Sequence, residues 1–137
     1  MERLLLLAGL AALVAALVVA GRLLARRRLA RLRAAGAAPL WAALGDGPDG
    51  RPTVVAFSTP SCAVCRTAQR PALAALQERT AGGVRVIHVD AAERPEVARV
   101  FGILTVPATV VMDRGGAVVG ANQGFATAER LATQLGV

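Results

Sequence analysis

Residues 4–21, LLLLAGLAALVAALVVAG, run for eighteen positions without a charge. As a helix rising about 1.5 Å per residue, this run reaches roughly 27 Å, close to one hydrocarbon thickness of a bilayer. Its seven leucines and three valines each favour insertion by roughly 0.3–0.6 kcal/mol near the bilayer centre. The run predicts a single transmembrane helix over residues 1–24, with enough chain behind it for one compact domain. A cleaved signal peptide is the competing reading. It calls for an apolar core of about 7–15 residues and a small-residue cleavage site, whereas this run is longer and the arginines behind it oppose export.

The formal charge of +7 would suit a nucleic-acid binder if it were spread over a folded surface. It is not. All sixteen basic residues are arginine, and six of them (Arg22, Arg26, Arg27, Arg28, Arg31, Arg33) crowd directly behind the apolar run, while residues 34–137 carry nine arginines against eight acids. A juxtamembrane arginine cluster gains about 1 kcal/mol per charge at an anionic membrane surface, so the excess points to lipid as a partner and away from nucleic acid. Positive charge stays on the cytoplasmic side. The expected location is therefore the cell membrane, single-pass, with the C-terminal domain in the cytoplasm; an extracytoplasmic domain is the alternative.

Behind the apolar run, RLLARRRLARLRAA (22–35) places leucines at 24, 29 and 32 among arginines, as in a helix lying near head groups. Gly36 and Pro39 end it, and the folded part is expected to begin near residue 37. PLWAALGDGPDGRP (39–52) opens with an apolar patch around Trp41 and Leu44 and continues with loop composition. Residues 25–51 are thus expected to be a juxtamembrane helix and linker, and 52–137 the domain. In the domain TVVAFS (53–58) reads as a strand, Cys62 to Arg79 as a helix, and VRVIHVD (84–90) as a second strand. Residues 93–101 read as a short helix, VPATVVMD (106–113) and AVVGA (117–121) as strands joined by a turn, and 126–135 as a closing helix. This order predicts an α/β fold with parallel pairing first and an antiparallel hairpin at the end.

Cys62 and Cys65 are the only cysteines, placed where the first strand gives way to a helix. Positions i and i+3 share a helix face, so the two sulfurs can meet in a disulfide. Cys62 then sits at the helix N-terminus, where unpaired amides and the dipole lower a thiol pKa from its usual value of about 8.5. Cys62 is the candidate nucleophile, and Cys65, deeper in the helix, the resolving thiol that releases the partner. A zinc site needs four ligands, and His88 is the only histidine, expected to pack within its apolar strand; no metal is assigned. Two inert core thiols are the competing reading. The CxxC spacing at a strand-to-helix junction within a βαβ pattern favours the redox pair.

Residues 52–137 resemble the thioredoxin family. The resemblance is carried by VVAF before CAVC, the acidic end of VIHVD, VFGILTVPATVVM and RGGAVVGANQG. It implies a thioredoxin-like fold, a central mixed sheet flanked by helices, and a thiol–disulfide exchange that needs no organic cofactor. It also implies that Pro107 is a cis-proline and that Val106 offers backbone groups to an extended segment of the partner. Gly116 would be the hairpin glycine and Gly124 a glycine at the binding surface, while Gly102 and Gly115 read as plain turn residues.

The departures are as informative. Where the family often buries an aspartate this chain has Ala56, and where the neighbouring strand often carries a lysine it has Val86, expected across from Ala56. Losing both is coherent, since a lone buried charge is costly, but it removes the usual proton acceptor for Cys65. Ser61 replaces the common tryptophan, Ala63 and Val64 replace Gly-Pro, and Pro71 lies one residue late; these changes leave the direction of electron flow open. The expected function is a membrane-anchored thiol–disulfide oxidoreductase that reduces protein disulfides and is reset by an external electron donor. The alternative is a binding module or membrane scaffold with the same fold and no redox turnover.

Overall fold

The computed structural model describes residues 1–137. Helix α1 spans Glu2–Ala35 without a break, so the apolar run and the arginine-rich stretch form one rod of roughly 50 Å at 1.5 Å per residue. The apolar part, from Leu4 to Leu24, is exposed throughout and is long and apolar enough to span a membrane. Gly36, at φ 79°, ends the rod in a conformation that costs glycine nothing. Helix α2, Ala37–Leu44, follows at once.

Four strands form the sheet: β1 (Thr53–Ser58), β2 (Arg85–Asp90), β3 (Ala108–Met112) and β4 (Val118–Gln123). Their order is β2-β1-β3-β4. β1 and β2 pair in parallel, while β1–β3 and β3–β4 are antiparallel, the arrangement expected from the order of elements. Helices α3 (Arg70–Arg79) and α5 (Ala128–Leu135) pack together on one side of the sheet; α2 and α4 (Pro95–Val100) pack together on the other.

The stretch between α1 and β1 is more than a linker. Leu40, Trp41 and Leu44 fall on one face of α2, and all three are buried in the larger core cluster with Val55, Phe57, Val97 and Phe101. The indole N–H of Trp41 donates to the Gly116 carbonyl at 3.0 Å, fastening α2 to the β3–β4 turn. A Cβ on Gly116 would lie 2.6 Å from that indole nitrogen, and its φ is +85°, so both space and backbone call for glycine there. The end of α1 is also engaged. Leu32 is buried, and Arg33 donates to the carbonyls of Val118 and Val119 at 3.3 and 3.1 Å. These bonds use backbone acceptors on an edge strand that would otherwise need water.

Candidate active site

β1 delivers the cysteine segment. After Ser58 the chain turns through Thr59–Ser61, with the Cys62 amide donating to the Thr59 carbonyl at 3.2 Å. Cys62 and Cys65 are joined in a disulfide with their Cα atoms 5.3 Å apart. The Cys65 amide donates to the Cys62 sulfur at 3.2 Å. That donor is one of the unpaired N–H groups at the start of a helix, the kind of contact that stabilises a thiolate over a thiol. Cys62 is partly exposed, whereas Cys65 is buried at 5 % exposure. An incoming disulfide can therefore reach the first sulfur and not the second.

The helix expected over residues 62–79 is present but irregular, with a π-helical segment over Cys65–Gln69 ahead of α3. Pro71 has no amide to donate to the preceding turn and its ring crowds the carbonyl there, a recognised cause of widened turns. Gln69, four residues beyond Cys65, points inward and is 3 % exposed. Its amide group bonds both backbone groups of Ala126, donating to the carbonyl and accepting from the N–H, each at 3.0 Å. The cysteine helix is thereby locked to the segment after Gly124. Sequence reasoning does not single out Gln69, although its i+4 relation to Cys65 places it on the same inward face.

The Val106–Pro107 peptide bond is cis. Register pairs Phe57 with Ala108, which brings this peptide to the end of β1, where the cysteine turn begins. Thr59 and Val106 line a common hollow. The Gly124 N–H donates to the Pro107 carbonyl at 2.8 Å, and Gly124 has φ +82°. Cys62, Cys65, Val106, Pro107 and Gly124 thus gather at one end of the sheet.

Beneath the disulfide lies a cavity of about 270 Å³ whose walls include Ala56, Cys65, Arg70, His88 and Asp90. The methyl group of Ala56 leaves the space open. Two expectations are corrected here. The residue paired with Ala56 across the strands is His88, and Val86 pairs with Val54 instead. His88 is also exposed in the cavity wall rather than packed in the core. The reason is strand alternation: Val86, His88 and Asp90 share one face of β2, where Val86 packs against the apolar cluster that includes Leu73 and Leu76, and His88 and Asp90 border the cavity. Partial burial, and then the positive charge of Arg70, hold the His88 pKa below its ordinary value of 6.5. Asp90 is occupied differently, accepting from the Ala92 and Glu93 amides at 2.8 and 3.2 Å.

The thioredoxin family model matches residues 47–136, and the chain belongs to the thioredoxin family. Comparison with curated proteins gives no match. Among solved structures, the chain is similar to a thioredoxin of Fasciola hepatica, with 25 % identity over 64 % of this chain and 80 % of that one and a TM-score of 0.54. A single-residue mutant of a thioredoxin from Halobacterium salinarum shows the same fold at 23 % identity, over 64 % of this chain and 74 % of that one, with a TM-score of 0.57. So does thioredoxin-2 of the malaria parasite, described as a component of its protein secretion machinery, at 19 % identity over 61 % and 79 % and a TM-score of 0.56. The N-terminal helix lies outside the matched family region. A thioredoxin-like domain with its two cysteines at bonding distance supports a redox-type function.

Proposed function

We propose that this protein is a membrane-anchored thiol–disulfide oxidoreductase that reduces disulfides of partner proteins through Cys62 and Cys65. The observation that carries the reading is the asymmetry of the pair: Cys62 is accessible and receives an amide hydrogen bond on sulfur, while Cys65 is buried. In the reducing direction the Cys62 thiolate attacks a partner disulfide, forming a mixed disulfide and expelling one partner thiolate. Cys65 then attacks Cys62, expels the second partner thiolate and leaves the Cys62–Cys65 disulfide. An external dithiol resets the pair, because the chain holds no third cysteine. Backbone groups at Val106, beside the cis peptide and Gly124, hold the extended partner segment during the exchange.

Helix α1 anchors the domain, and the arginines from Arg22 to Arg31 favour its retention on the cytoplasmic side, where a reducing role fits the compartment. The test is a Cys65→Ser variant expressed in the full chain. It is expected to accumulate covalent adducts through Cys62 that disappear on reduction and in a Cys62→Ala, Cys65→Ser double variant. An impermeant thiol reagent is expected to reach Cys62 only after permeabilisation. Absence of any adduct under oxidising challenge overturns the redox reading in favour of a binding module.

A further inference from the structure

Resolution of the mixed disulfide requires Cys65 to lose a proton while it is shielded from solvent. Burial disfavours the charged form of a side chain, so a base within reach of the Cys65 sulfur speeds formation of the attacking thiolate. Ala56 offers none. The charged and titratable side chains around the cavity are Arg66 and Arg70 from the cysteine helix and His88 and Asp90 from β2, with none contributed by β1. Both arginines are permanent cations and can only favour an anion on sulfur. Asp90 already serves two backbone amides of the following turn. His88 remains. Its ring is open to the cavity that Cys65 lines, no hydrogen bond within the protein occupies it, and at neutral pH it is in the base form.

We propose that His88 is the proton acceptor for Cys65 when the mixed disulfide is resolved, acting from the cavity wall directly or through a water. This rests on the dithiol reading above. In the step, neutral His88 takes the Cys65 proton as the Cys65 sulfur attacks the Cys62 sulfur. The Cys62–partner S–S bond breaks, and the partner sulfur leaves as a thiolate carrying the electron pair. Cys65 and Cys62 are left oxidised as a disulfide, the partner sulfur is reduced, and imidazolium returns its proton to that thiolate or to water. The space left open by Ala56 admits the side chain and its solvent.

The test uses the reduced full-length protein in detergent micelles, mixed rapidly with excess 5,5′-dithiobis(2-nitrobenzoate). Attack by Cys62 releases the first chromophore in a reagent-dependent phase. Attack by Cys65 releases the second in a phase independent of reagent concentration. In the wild type the rate of the second phase should rise with pH, level off once His88 is neutral, and rise again where Cys65 ionises unaided. In His88→Gln the plateau should vanish and the rate at pH 7 fall about a hundredfold, at the low end for general base catalysis, with the first phase unchanged. In His88→Gly, added imidazole should restore the second phase in proportion to its concentration, which a purely structural role would not produce. A retained plateau in His88→Gln, or a plateau lost in Asp90→Asn and kept in His88→Gln, overturns the proposal and leaves the dithiol reading intact. Absence of the second phase in the wild type at every pH overturns both.

Discussion

The two faces of the sheet are built to different ends. On the face covered by α2 and α4 lie all the buried aromatic residues, Trp41, Phe57 and Phe101, with the Phe57 and Phe101 rings 5.2 Å apart. The face covered by α3 and α5 is filled by smaller aliphatic side chains such as Val54, Leu76 and Leu131, and at Ala56 it opens into the cavity under Cys65. Consecutive residues of β1 serve the two sides, Phe57 into the closed core and Ala56 into the open one. The large rings lie on one face, and the cavity that Cys65 lines lies on the other. This division can be broken from either side.

The largest effect is expected on the closed face. Phe101 is 1 % exposed, and Phe101→Ala should cost about 3–5 kcal/mol in unfolding free energy, as large-to-small aromatic deletions in cores do. Urea titration of the full chain in detergent under reducing conditions measures it. The reaction of Cys62 with thiol reagents, in conditions where the variant is still folded, should match the wild type. A variant that lost little stability, or whose Cys62 reactivity changed while folded, would show that the faces are not independent.

On the reactive face a polar deletion should be the costly one. Gln69→Leu leaves the Ala126 N–H and carbonyl buried without partners; the two losses share one site and are not additive, so the net cost should be about 1–3 kcal/mol. Gln69→Glu can still accept from the Ala126 N–H but cannot donate to its carbonyl, so its loss in the same urea titration should include at least the penalty for that carbonyl. Equal stability for Gln69→Leu and the wild type would mean that the cysteine helix is held by packing alone.

Much of this division is legible in the sequence because it depends on local pattern. The run TVVAFS and the cysteine spacing place β1 and the start of the helix, and the alternation of classes yields the parallel pair and the final hairpin. What escapes depends on contacts distant along the chain. Trp41 reads as part of an apolar patch ahead of a loop until Gly116, 75 residues away, receives its indole N–H. Arg33 reads as one more juxtamembrane charge until β4 is set beside it. For His88 the local pattern identifies the strand but not the pairing. Alternation says which residues share a face with His88, but only the register shows that its neighbour is the small Ala56, and hence that the ring faces space and not side chains.

The same register sets the smallest expected effect, the acid limb of stability in the reduced protein. Because partial burial and Arg70 hold the folded-state pKa of His88 below 6.5, the unfolded chain binds more protons between that lowered value and 6.5. Stability rises with pH wherever the unfolded state binds more protons. The contribution from His88 is therefore fully present above the unfolded value and is lost as pH falls from there through the folded one. The ring is half-exposed and screened by solvent, so its contribution should be small beside either deletion above. Urea midpoints of wild type and His88→Gln compared across this window should diverge as pH falls, the wild type losing more, and run parallel above it. Parallel curves throughout would place the imidazole in free solvent, away from Arg70 and the cavity, and would weaken its assignment as the base for Cys65.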